Sequence, residues 1–291
     1  MGKIFDAFEK FESETALVTP KDDKSLHTKV DAEKVTGEVA SRKESTDSMT
    51  RYKRRYNKNP DKNLIVHNDP SSYEAEQFKI LRTMILFPVS GIRPRTIMIT
   101  SALPEEGKSF VASNLAVSMA QNINEHVLLI DGDIRKPSLH NSFGFRDVPG
   151  LSEHLSEGRP LSSLILQTMT HKLSLLPAGA PPHNPSELLS SESMSCLIQE
   201  VKERYHDRYI ILDTPPPRLT AETGALSRQV DGIIVVINSE MTPKPMVEKL
   251  VEMVGKEKIL GIVMNRFDTR GSKYYAYGKY GTYSIYGHKK N

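Results

Sequence analysis

The chain has one cysteine, Cys196, in 291 residues. An internal disulfide is therefore excluded, and the cysteine usage fits a reducing compartment. Long apolar runs are also missing. The longest clean stretch is Ile233 to Ile237, after Gly232, whereas a membrane span needs about 20 apolar residues. The N-terminus reads Met1-Gly-Lys-Ile-Phe-Asp6 and carries charge at once, with no apolar segment behind it of the kind a secretory signal needs. Gly2 invites myristoylation, but Asp6 stands where that signal wants Ser or Thr. A cytosolic protein is expected, with any membrane contact made through a partner. Net charge is small as well. The formal value is +3, so no whole-chain field points to nucleic acid.

Large apolar side chains are scarce from residue 13 to 69, where Lys, Asp, Glu, Ser and Thr dominate. Such a stretch cannot bury enough surface to offset its ordering entropy, so 1–69 reads as a mostly disordered charged arm. Within it, Ile4, Phe5, Phe8 and Phe11 recur at helical spacing and predict a short amphipathic helix over 2–13. Arg51, Lys53, Arg54, Arg55 and Lys58 form a basic cluster with Tyr52 and Tyr56 between them. A solvated linker accounts for it better than a nucleic-acid site.

Order is expected from residue 70. Ser71 with Glu74 three residues on has the form of a capping box, and Phe78, Leu81 and Ile85 mark one face of a helix ending near Pro88. Apolar runs then alternate with helical stretches: 96–101, 127–131, 173–176, 209–213, 232–238 and 259–265. The runs are continuous, not alternating. That marks strands buried on both faces, hence a doubly wound, mostly parallel α/β sheet over 70–268.

The strongest motif is Ala102-Leu-Pro-Glu-Glu-Gly107-Lys108-Ser109, between a predicted strand and a predicted helix. Backbone N–H groups of such a loop, with the helix N-terminus, face phosphate oxygens. Gly107 permits close approach, Lys108 reaches the β- and γ-phosphates, and Ser109 can ligate Mg²⁺. The nucleotide loop is read as Ala102, Leu103, Pro104, Glu105, Glu106, Gly107, Lys108, Ser109 and Phe110; Ala102 replaces the usual first glycine. The run Val127–Ile130 ends in Asp131-Gly-Asp133, and Tyr209–Leu212 ends in Asp213. Carboxylates at the C-terminal ends of buried strands lie where open α/β sheets bind ligands. Beside a phosphate loop they can support a metal, orient a nucleophile or accept a proton.

The last signal is compositional. Tyr274, Tyr275, Tyr277, Tyr280, Tyr283 and Tyr286 crowd the last eighteen residues, against five tyrosines elsewhere, and no acid follows Asp268. The 269–291 tail has neither strand alternation nor a helical stripe, so it is expected to be exposed. Its phenols are candidate phospho-acceptors.

With these features together, residues 70–291 resemble the bacterial tyrosine kinases of capsule and exopolysaccharide synthesis in their separate cytoplasmic form. Thr100-Ser-Ala-Leu-Pro-Glu-Glu-Gly-Lys-Ser109 is similar to that family's Walker A. Leu128-Leu-Ile-Asp-Gly-Asp-Ile-Arg-Lys-Pro137 is similar to its Walker A′, and Ile211-Leu-Asp-Thr-Pro-Pro216 to its Walker B. Leu176-Pro-Ala-Gly179 and Pro185-Ser-Glu-Leu-Leu189 match a further segment. The resemblance implies MgATP as cofactor. Lys108 would neutralise phosphate charge, Ser109, Asp131 and Asp213 would support the metal, Asp131 would orient or deprotonate a phenol, and Asp133 would assist. It implies autophosphorylation of the tail in trans within a homo-oligomeric ring. As partners it implies a membrane-bound polysaccharide co-polymerase as activator, which would recruit the chain to the inner face of the plasma membrane, and a cognate tyrosine phosphatase. Two departures stand out. Glu105 takes the place of a family glycine, and the interface pattern Glu-x-x-Arg-x-x-Arg appears as Glu76-x-x-Lys79-x-x-Arg82. Lysine cannot make the bidentate pair of arginine.

Two other readings remain open at this stage. A partitioning or positioning ATPase of the same broad fold usually carries a lysine where this chain has Leu103, and has no tyrosine tail. A non-catalytic nucleotide-binding scaffold would keep the same acidic set.

Overall fold

A computed structural model describes residues 60–88, 91, 93–204, 208–215 and 221–267. The predicted helix over 2–13, the basic cluster at 51–58 and the tyrosine cluster fall outside those residues. The described chain runs α1 (Ile65–Asn68), α2 (Tyr73–Leu86), β1 (Thr96–Ser101), α3 (Lys108–Ala120), β2 (His126–Asp131), α4 (Leu139–Ser142) and α5 (Leu151–Glu157). After these come β3 (Leu166–Gln167), β4 (Leu173–Leu176), α6 (Pro185–Leu189), α7 (Glu192–Arg204), β5 (Arg208–Asp213), α8 (Ala221–Gln229), β6 (Gly232–Asn238), α9 (Lys244–Val254) and β7 (Ile259–Asn265). The strands form one seven-stranded sheet in the order β3-β4-β2-β5-β1-β6-β7. All neighbours are parallel except the short β3, which runs antiparallel to β4.

Two separate cores, one on each face of the sheet, explain the continuous apolar runs except 259–265: β7 lies at the sheet edge and leaves Leu260, Ile262 and Met264 exposed, so its apolar run does not mark burial on both faces. Met98, Leu128, Ile130, Ile210, Leu212, Ile233 and Val235 enter one. Their alternates Ile97, Ile99, Val127, Leu129, Tyr209, Ile211, Ile234 and Val236 enter the other. Successive side chains of a strand point to opposite faces, so a strand covered on both sides must be apolar throughout. All six residues of β1 and of β5 are buried.

Packing extends further toward the N-terminus than the boundary at residue 70 allowed. Leu64 and Val66 are fully buried. Two polar side chains hold this segment: Asn114 from the middle of α3, whose Oδ1 accepts the Val66 N–H at 3.0 Å and whose Nδ2 donates to the Asn63 carbonyl at 2.9 Å, and Gln121 after α3, whose Nε2 donates to the Val66 carbonyl at 3.4 Å. Composition could not show this, because the apolar residues concerned are few and the partners lie far along the chain. The start of α2 is also one residue later than the capping-box reading. Ser72 is the N-cap and accepts the Ala75 N–H at 3.2 Å, while Ser71 donates to Asp69.

Candidate active site

The site is built at the C-terminal edge of the three central strands. β1 leads into the phosphate loop, and α3 leaves it. The helix is capped by Gly107 in the left-handed region, φ 92°, with no side-chain cap. Its first N–H groups therefore keep their dipole for an anion. A Cβ on Gly107 would lie 2.0 Å from Asn265 Nδ2 and would displace that side chain, and the φ of 92° itself favours glycine. Neighbouring strands deliver the acids. Asp131 ends β2 and Asp213 ends β5, directly opposite each other in parallel register.

The Lys108 Nζ lies 3.1 Å from Asp133 Oδ2. Burial works against the charge on this lysine, but Asp213, Asp133 and Asp131 outweigh it and raise its pKa. Asp131 and Asp213 are both 0% exposed. Burial, then the proximity of Asp213, lifts the Asp131 carboxyl to about 8, although Leu139 and Ser138 donate their N–H groups to its Oδ2 at 3.1 and 3.2 Å. Burial lifts Asp213 to about 6 against the opposing pull of the Lys108 ammonium and the nearby Ser109 hydroxyl.

Above these groups opens a cavity of about 630 Å³. Pro104, Glu105, Gly107, Lys108 and Ser109 line it from the loop, Asp133, Arg135 and Lys136 from beyond β2, and Arg266 from the end of β7. The volume suits a nucleotide. Among the described residues no group of three or more His, Cys, Asp or Glu side chains is arranged to hold a metal ion unaided. A P-loop magnesium has no need of one, because a Ser, phosphate oxygens and water complete its shell. The residues fit that role. Both Asp213 carboxylate oxygens and Asp131 Oδ1 are buried without a hydrogen-bond partner among the described residues, and buried carboxylates left so are costly unless a cation faces them.

The structure thus brings Lys108, Ser109, Asp131, Asp133 and Asp213 together. It separates other residues of the nucleotide-loop reading. Ala102 belongs to the core. The Phe110 ring packs edge-on against Phe78, 5.8 Å between centroids, so its side chain faces α2 and not the cavity. Glu106 is 3% exposed and turns inward. Its Oε2 accepts the Leu103 N–H at 2.7 Å, its Oε1 accepts the Thr242 hydroxyl, and its carbonyl accepts Asn265 Nδ2 at 2.8 Å. This residue shapes the loop instead of touching phosphate. Of the interface residues, Lys79 pairs with Glu76 at 3.0 Å on the same helix, and Arg82 Nη1 donates to the Ser118 carbonyl at 2.8 Å. Sequence reading missed Glu222, which lines the cavity, is 2% exposed and receives both Arg135 and Ser186. The Pro185-Ser-Glu segment was the only signal pointing toward it.

An open parallel sheet with a strand–phosphate loop–helix unit and acids on adjacent strand ends defines a P-loop NTPase. A family model described as "ParA: NUBPL iron-transfer P-loop NTPase" matches residues 94–285. Tyrosine-protein kinase YwqD of Bacillus subtilis is 38% identical over 223 residues, 76% of this chain and 92% of that protein. Among solved structures, the chimerical protein CapA2B2 superposes with a TM-score of 0.64 at 34% identity, covering 77% of this chain and 98% of that one. The kinase domain of the Escherichia coli tyrosine kinase ETK gives 0.63 at 29% identity, covering 72% and 83%. Within the P-loop NTPases, the chain belongs to the bacterial tyrosine-protein kinase family.

Proposed function

We propose that the chain uses MgATP to phosphorylate the tyrosines of its own C-terminal cluster in trans, in the service of capsule or exopolysaccharide synthesis. The observation that carries the reading is the convergence of the Lys108–Asp133 pair with buried Asp131 and Asp213 beneath a nucleotide-sized cavity. Lys108 neutralises phosphate charge. Ser109 and Asp213 would hold a magnesium ion, which would supply charge neutralisation at the phosphates. Asp133 from the cavity wall and Asp131 from behind it orient the phenol and take its proton as the oxygen bonds to the γ-phosphorus and ADP leaves. Phenol ionises near pH 10, so a placed acceptor for that proton matters. Asp131 accepts one only when ionised, which its value of about 8 opposes near neutrality until a cation stands close.

The partners follow from the same reading: a membrane-bound polysaccharide co-polymerase as activator, a second copy in a ring, and a tyrosine phosphatase that resets the tail. Among the described residues no helix is long and apolar enough to cross a membrane, in keeping with recruitment through a partner. Leu103 speaks against the partitioning ATPases, since its position holds no lysine. The test is intact mass after incubation with MgATP and the cytoplasmic segment of the co-polymerase. Phosphate additions confined to 274–286, and lost by at least about 100-fold in Lys108→Met, are expected from removing a phosphate-clamping charge. ATP loss without mass gain would return the chain to the partitioning class. Neither change would leave a scaffold.

A further inference from the structure

Glu105 occupies an unusual place. Its φ is 64°, a left-handed conformation that costs an L-residue about 1–2 kcal/mol and that glycine would adopt freely. It lines the cavity, yet its side chain is 78% exposed, and among the described residues its one ion pair is with Lys136, 84% exposed and 3.6 Å away. So weak a pair leaves the carboxylate available. The contact also fixes which rim of the cavity Glu105 occupies. Lys136 lies three residues beyond Asp133, so the Glu105 side chain reaches from the phosphate loop toward the acid-bearing segment that follows β2.

The acceptor segment has matching chemistry. Lys273 directly precedes Tyr274 and Lys279 directly precedes Tyr280, and no acid follows Asp268. We propose that Glu105 is a specificity residue for the acceptor, its carboxylate receiving the lysine that precedes a tyrosine. This rests on the tail being the acceptor. It adds that the chain selects tyrosines in a basic setting. It also adds that a segment already phosphorylated, each phosphate bringing about −1.5 to −2 charges, is repelled from the same carboxylate and released.

The test uses the full chain with its six tail tyrosines changed to Phe, MgATP, the co-polymerase segment and a synthetic peptide of residues 271–281. With Glu105 present, Lys273→Ala and Lys279→Ala together in the peptide should raise its KM about two- to five-fold, the range of an exposed ion pair, and the gap should close at high salt. In Glu105→Gln the two peptides should have equal KM. In Glu105→Lys the order should invert for a peptide carrying Lys273→Glu and Lys279→Glu. The same KM ratio in all three chains overturns the role of Glu105 while leaving the tail as acceptor. Failure of the unmodified chain to phosphorylate its own tail or the peptide removes the acceptor reading, and this one with it.

Discussion

Gly107 and Asp131 show how much a single backbone angle or proton decides here. Gly107→Ala would place a methyl group on Asn265 Nδ2 and hold a φ of 92° that alanine resists. The Asn265 side chain must then leave the Glu106 carbonyl, and the loop loses one tether. Stability should drop by about 1–3 kcal/mol, and MgADP binding should fall by more than ten-fold in a calorimetric titration. Unchanged affinity would show that the loop adapts. Asp131 yields a pH signature. Its carboxyl is lifted to about 8, against about 3.9 in an unfolded chain. From roughly pH 4 to pH 8 the unfolded state has shed a proton that the folded state keeps, so this group removes stability as pH rises, by at most about 1.4 kcal/mol per unit. Thermal melts of metal-free protein should lose less between pH 5 and pH 8 in Asp131→Asn than in the unmodified chain. Equal slopes would mean that Asp131 is ionised throughout.

At the scale of elements, Glu106 ties the phosphate loop to the ends of two strands. Thr242 follows β6, Asn265 ends β7, and Asn238 at the end of β6 donates its N–H to the Thr242 hydroxyl at 2.9 Å. Thr242→Val removes a hydroxyl from a buried carboxylate oxygen. Glu106 Oε1 keeps the Asn238 N–H at 3.4 Å, but loss of a hydrogen bond to a charged group costs about 1.5–3 kcal/mol, so nucleotide affinity should weaken about ten-fold, with Thr242→Ser restoring it. Binding equal to the unmodified chain would make the tether ornamental. These contacts also show what the sequence could reveal. Lys108, Ser109, Asp131, Asp133 and Asp213 were legible because each sits in a contiguous motif at the end of an apolar run. The partners of Glu106 were not, because Thr242 and Asn265 lie 136 and 159 residues away. Arg135 and Glu222 are likewise 87 apart. Strand positions were readable from the continuous apolar runs, although the edge strand β7 is not buried on both faces; strand order was not, since it depends on crossovers that leave no local mark. The two-residue β3 is too short to carry a period. The α1 segment was hidden because its anchor, Asn114, is a polar residue inside an apolar helix.

At the scale of the whole molecule the question is assembly. The α2 helix exposes Tyr73, Ile80 and Met84, spaced so that they share one face, on the same helix as Glu76 and Lys79. Arg82 spends one of its donors on Ser118, and a guanidinium has five. A second copy packed on this face would bury the apolar stripe beside those charges. Met84→Lys should therefore lower the mass measured by light scattering toward that of a monomer, with melting temperature little changed because Met84 is 65% exposed. Phosphorylation should act on the same assembly through charge. The formal charge is +3, and six phosphates add about −9 to −12, so each protomer turns strongly acidic within its last eighteen residues. Repulsion between such tails reaches about 10 Å at 0.1 M salt and about 3 Å at 1 M. A phosphorylated preparation should thus dissociate in dilute buffer and reassociate as salt is raised, while the Lys108→Met chain keeps one mass throughout. If the phosphorylated form stays assembled at low salt, the charge added to the chain does not control assembly.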